Sequence, residues 1–228
     1  MTENDKKEQI LTALEMKSLI KQNAYDQTLE TFGLLKEVLQ EIVKEYNSAL
    51  QVKDPRIKFE YKERGQFEAQ LKFAGDILIF SMHSNIFEFD RDHNIWKLNY
   101  VKENIIYSFC GIINVYNFLS DSFKYNRLED LGYLVSRFFV NLENHFFVEG
   151  KRQKDYLYNK FGESVLSKEV IKEIVLQIII YAIDFDLLVP PYDNIKIASV
   201  GQLNEKMEFA KTKTGKRLGF KFNSDDVG

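Results

Sequence analysis

Catalysis by this chain would have to draw on a small stock: three histidines, one cysteine and a few closely spaced carboxylates. His83, His93 and His145 lack a serine or cysteine partner at a spacing that suggests a nucleophile with its base. Cys110 lies in an apolar run beside Gly111, where a thiol serves as a small buried hydrophobe. As the sole cysteine it cannot close an intramolecular disulfide, which fits a reducing compartment. Asp90, Asp92 and Asn94 have the spacing that opens an EF-hand calcium loop. The match stops there, because Ile95 stands where glycine is needed and Val101 where a bidentate glutamate is needed. A polar hairpin turn is the expectation.

Asp184, Phe185 and Asp186 resemble the Asp-x-Asp of nucleotidyltransferases, whose two carboxylates hold the divalent ions that bridge nucleotide phosphates. The resemblance covers about six residues, through Leu187, Leu188 and Val189, and implies a metal-dependent nucleotide-processing enzyme. That family also carries Gly-Ser about ten residues upstream, and positions 170 to 180 contain neither. On a helix the two aspartates would point about 200° apart. Thr214, Gly215, Lys216 and Arg217 echo a phosphate loop, yet Ala210 replaces the leading glycine and no Ser or Thr follows Lys216. Lys211, Lys213, Lys216 and Arg217, interleaved with Phe209, Phe220 and Phe222, could instead touch a polyanion. Protection of an edge strand by lysines explains the same pattern.

The totals narrow the classes. Lys and Arg number 31 against 34 Asp and Glu, so the chain lacks the basic excess of a dedicated nucleic-acid binder. Hydrophobic residues make up 45% of the chain, enough for a sizeable core and too many for global disorder. The most apolar segment, Ile174 to Ile183, is shorter than the ~20 residues a membrane span requires. Met1 to Gln9 shows no basic start followed by an apolar run, so no secretory signal is expected and the cytoplasm is the expected location.

Long helices and alternating strands frame these candidates. From Asn4 to Leu50 only Gly33 interrupts helical residues. Tyr25, Phe32, Leu35, Leu39, Ile42 and Tyr46 recur at steps of three and four, with their multiples, as one apolar stripe, which either packs on this chain's own sheet or pairs with a second copy. A kink or loop is expected near Lys21 to Ala24, where the register shifts. Ile57–Tyr61, Phe67–Phe73 and Ile77–Met82 alternate or run apolar, with Arg64-Gly65 and Gly75-Asp76 as turns, which predicts an antiparallel meander. Ile86–Phe89 and Ile95–Tyr100 read as a further strand pair, and Ile105–Leu119 as a strand. Asn126 followed by Glu129 reads as a helix start, with Leu128, Leu131, Val135, Phe138, Leu142 and Phe146 as its apolar side and Gly150 as its stop. Ser167 to Val189 predicts a helix apolar on most sides, hence buried, and ended by Pro190 and Pro191. Ile195–Val200, Lys206–Lys213 and Lys216–Phe222 read as strands, the last two a hairpin.

The expected architecture is therefore α+β: an antiparallel meander packed on a buried helix from the C-terminal half, with a long amphipathic N-terminal helix and a C-terminal β-hairpin. Residues 1–52 read as a helical arm, 53–222 as one α+β domain and 223–228 as a frayed tail. No cofactor, catalytic set or metal site is indicated. The leading expectation is a non-catalytic binding protein that self-associates, or meets a protein partner, through Tyr25, Phe32, Leu35, Leu39, Ile42 and Tyr46. A small-ligand sensor with a pocket between sheet and helices is the alternative.

Overall fold

A computed structural model describes residues 2–51, 54–128, 130–150 and 154–185. The chain opens with a near-continuous helix: α1 (Glu3–Ala13), a π turn (Leu14–Ser18) and α2 (Leu19–Ala49). Residues Lys21 to Ala24 lie within regular helix, so the expected break is absent there. The irregularity comes one turn earlier, where the π turn accommodates one extra residue without ending the helix.

Six strands follow, β1 (Glu60–Glu63), β2 (Glu68–Phe73), β3 (Asp76–Met82), β4 (Cys110–Leu119), β5 (Tyr133–Asn141) and β6 (Phe146–Gly150). They form one antiparallel sheet in sequence order, a meander. Period-two alternation decides what each face meets. Leu78 and Phe80, Ile113 and Val115, Phe138 and Val140, and Phe146 and Val148 point to one side, where α2 and α5 (Lys168–Asp184) cover them in a single core. Cys110, Phe139 and Phe147 point to the other, packing with Ile95, Val101 and Phe161 in a second, smaller cluster. Ile77 and Ile79 are buried as well, so β3 is covered on both faces as its unbroken apolar run predicts.

The helix of the C-terminal half begins where expected, with the Ser167 hydroxyl accepting from the Val170 amide at 3.4 Å. Ile171, Ile174, Val175, Ile178, Ile179 and Ala182 are buried, whereas Ile180 and Ile183 of its second apolar row are about half exposed. Lys168 pairs with Glu37 and Glu41, and Lys172 with Glu45, along the solvent edge where α5 meets α2.

Three expected elements are corrected. The segment expected as the helix of Asn126 to Gly150 is the β5–β6 hairpin. Over Phe138–Asn141 and Phe146–Val148 its strands are buried on both faces, and an apolar run such as Phe138-Phe139-Val140 supplies helical spacing by default; its aromatic and β-branched content was the truer signal. The strand pair expected over 86–100 is a single bridge between Phe87 and Cys110, followed by a 3-10 turn (Asn94–Lys97) and α3 (Asn99–Glu103). There the His93 Nδ1 accepts from the Ile95 amide at 3.2 Å and the Trp96 indole donates to the Asp90 carbonyl at 2.7 Å, curling the chain away from any partner strand. Of the expected strand 105–119 only Cys110–Leu119 is extended, because the Asn104 side chain caps a 3-10 turn at Ile105–Ser108. The strand expected over 195–200 and the C-terminal hairpin expected over 206–222 lie outside the described residues.

Candidate functional site

The stripe expected to meet a partner faces inward. Phe32, Leu35, Leu39 and Ile42 are all buried, packed on this chain's own sheet, and Tyr25 and Tyr46 pack against the margin of the same core. Four of the six thus stand in the core of this chain, since a meander this wide offers α2 an apolar face to cover. Thr28 brings the helix close to Gly111 of β4.

The upstream part of the helix is different. No residue from Glu3 to Ser18 is buried. Ile10, Leu11, Leu14, Met16 and Leu19 are 59, 47, 56, 64 and 59% exposed. Such a run of apolar side chains on one element is the feature that single exposed leucines elsewhere do not make. The helix carries its own start: the Thr2 hydroxyl accepts from the Asp5 amide at 3.2 Å while the Asp5 carboxylate accepts from the Thr2 amide at 2.7 Å. Hydrogen bonding to the Thr2 backbone first, and to its side chain second, holds the Asp5 carboxyl below its ordinary value. Because α2 is anchored in the core, it nucleates the upstream turns that would otherwise be marginal in water. At the root of this arm a surface groove of about 570 Å³ opens between Lys21, Gln22 and Tyr25 on one side and Ser84, Asn85, Ile86 and Phe87 on the other.

The densest set of polar side chains lies at the β5–β6 turn. The Tyr100 hydroxyl sits 2.7 Å from the His145 Nδ1, donates to the Glu143 carboxylate at 3.0 Å and accepts from the Asn141 amide at 2.9 Å. Its ring stacks on Tyr107 at 4.4 Å between centroids, and a Cβ on Gly162 would drive into it. Burial first, with Glu143 adding and Asn141 opposing, raises the Tyr100 hydroxyl well above the ordinary phenol range. Asn141 is fully buried and its side-chain oxygen accepts from the amides of Glu143 and His145, both at 3.0 Å. Asn144, with φ of 61°, occupies the left-handed position that closes this short loop. A neutral phenol with three partners holds segments together rather than attacking a substrate. Sequence spacing could not find this cluster, because Tyr100 and the 141–145 turn come from separate stretches.

The remaining candidates are dispersed. Cys110 is buried, and burial alone pushes its thiol far above the ordinary range. His83 accepts from the Asn85 amide at 3.0 Å, and His93 caps the 3-10 turn. Asn94 of the Asp90-Asp92-Asn94 set accepts from Lys97 at 2.8 Å. Asp184 ends α5. Asp186, Lys211, Lys213, Lys216 and Arg217 lie outside the described residues. Among the described residues no group of three or more His, Cys, Asp or Glu is placed to hold a metal ion, and no helix is long and apolar enough to cross a membrane. No family model matches this chain, and no curated protein or solved structure is significantly similar to it.

Proposed function

We propose that this chain is a non-catalytic binding protein whose recognition element is the helical arm of residues 3–19. One observation carries the reading: five large apolar side chains stand exposed on a preformed, self-capped helix, outside both cores of the described residues. Helix pairing is the common way such a surface is used, with apolar anchors at steps of three and four laid against a partner. The fully engaged polar cluster at Tyr100 supports recognition over chemistry. The test is photo-cross-linking in cells with a benzophenone amino acid placed at Leu11 or Leu14. A covalent protein adduct is expected from these positions and none from Gln40, exposed on α2. Absence of any adduct along the arm would overturn the reading.

The groove at the arm's root favours a second reading, ligand sensing, with Lys21, Gln22, Ser84 and Asn85 supplying polar contacts and Tyr25 and Phe87 apolar walls. Its check is a thermal-shift series with carboxylates and nucleotides, in which Tm should climb with ligand concentration.

A further inference from the structure

We infer that the groove at the root of the arm binds a small organic anion, a carboxylate or phosphate carried on a flat apolar body. The inference rests on the ligand-sensing reading of that groove and names its class of ligand. A volume of about 570 Å³ is that of a site for a metabolite-sized molecule rather than an inorganic ion. Tyr25, Ile86 and Phe87 supply its apolar wall, and Lys21, Gln22, Ser84 and Asn85 its polar side chains. Among the described residues, none of those four side chains has a hydrogen-bond or ion-pair partner.

The backbone of the loop divides in the same way. The amides of His83, Asn85 and Phe87 donate to the Ile112 carbonyl at 2.8 Å, the His83 Nδ1 at 3.0 Å and the Cys110 carbonyl at 2.9 Å. Those of Ser84 and Ile86, between them, donate to no atom of the described residues. The spent bonds, with the His83 ring set edge-on to Phe87 at 4.7 Å between centroids, hold the loop in place, so the two free amides need little ordering when a ligand arrives.

Charge decides the class. Lys21 is the one ionised residue of the lining, and its ammonium stands over the Phe109 ring, 5.5 Å from the centroid, a contact that positions the charge without neutralising it. Beyond the lining, Lys17 lies about one turn before Lys21 and Asp26 about one turn after Gln22, exposed and opposite in sign. Glu88, next to Phe87, pairs with Arg91 at 3.1 Å. An anion in the groove therefore meets a cation and free N–H groups and no lining carboxylate, whereas a cation meets Lys21. Tyr25 and Phe87 give ring surface to the body that carries the anion.

Amide NMR on the full-length chain reads the groove directly, with benzoate, phenyl phosphate, benzylamine and benzyl alcohol each titrated from about 0.1 to about 20 mM, the weak range that suits so small a probe. Benzoate, phenyl phosphate or both should move the Ser84 and Ile86 resonances to saturation, and which of them does so separates carboxylate from phosphate. Benzylamine and benzyl alcohol should bind at least about fivefold more weakly. K21M should lose that preference and K21R keep it, while unmoved resonances of the β5–β6 turn show that both variants are folded. Benzylamine or benzyl alcohol binding as tightly as the anions, or K21M binding them as tightly as wild type, overturns the inference. Silence from both anions while benzyl alcohol or benzylamine moves the groove sinks the anion and leaves the ligand reading standing. Silence from all four sinks both.

Discussion

Gly111 is the position where one added methyl group tests the packing of the whole helical layer. It lies on the face of β4 that meets α2, and a Cβ built there stands 2.7 Å from both Cβ and Cγ2 of Thr28, closer still to its hydroxyl. Ordinary carbon contacts run to about 3.5–4.0 Å, so roughly 1 Å must be found. Thr28 cannot supply it by rotation: its Cβ is tied to the helix, it is fully buried, and its hydroxyl donates to the Ala24 carbonyl at 2.6 Å. Helix α2 must therefore withdraw, loosening Phe32 and Leu35 one and two turns on. Overpacking of this kind costs about 3 kcal/mol, which for a chain of this size lowers Tm by roughly 6–12 °C. The sign is itself diagnostic, because Gly→Ala in a strand without a clash would stabilise by about 0.5–1 kcal/mol. Urea unfolding of wild type, G111A, T28G and the double variant closes a cycle. T28G alone should cost at least the ~1 kcal/mol of a helical glycine, and G111A in that background should cost little or nothing. Equal costs of G111A in both backgrounds, or a stabilised G111A, would refute the close approach of α2 to β4.

Asn141→Ala should destabilise by about 2–4 kcal/mol, because it strands two backbone donors in the turn, whereas Tyr100→Phe, which leaves those donors paired, should cost only about 1 kcal/mol; the reverse order by urea unfolding would refute the assigned roles. The pH prediction follows from Tyr100 and Tyr156, both raised above the unfolded phenol value, by burial first and then by Glu143 and Glu173 respectively, with Asn141 opposing at Tyr100. A folded value above the unfolded ~10 means that the stability is fully present below about pH 10 and is lost as pH rises through the folded value. The urea midpoint should hold to that point and fall beyond it, less steeply in Y100F, and a midpoint level across the alkaline range would contradict the burial of these hydroxyls. Cys110 should react with a disulfide reagent only as fast as the sheet opens, so its labelling rate should rise with urea in step with unfolding; prompt labelling in buffer would contradict its place in the second cluster.

Legibility in the sequence followed burial. Strands with one solvated face, such as β2, announced themselves by alternation, and α5 did so by its apolar sides. The β5–β6 hairpin did not, because a strand covered on both faces loses its period-two signal and its apolar residues then fit any period. The stripe on α2 was legible as a stripe but not as to what covers it. Its width matched a partner helix and a six-stranded sheet equally, and only the width of the meander decides between them. The exposed leucines upstream show in the sequence as a register offset, and the π turn gives that offset its physical form. The Tyr100 cluster was beyond reach, since its members meet only through tertiary structure.

Recognition and catalysis make opposite demands on side chains. A catalytic group needs an unspent valence and a path to it. At the β5–β6 turn the valences are spent on joining segments. Asn141 binds its own turn and Tyr100, while Asn144 accepts from Thr31 of α2 at 3.2 Å and donates to the Leu166 carbonyl ahead of α5 at 3.3 Å. One short loop thus ties α3, the sheet, α2 and the approach to α5, and each bond that stabilises the fold removes a proton donor or acceptor from possible chemistry. The arm shows the opposite balance, with apolar surface in water and no fold to complete. Its side chains lie outside both cores of the described residues, so substituting them removes no core contact there. Substitution there should leave the unfolding free energy where it was and change only what the protein meets, a separation of stability from association that residues within α2 cannot give.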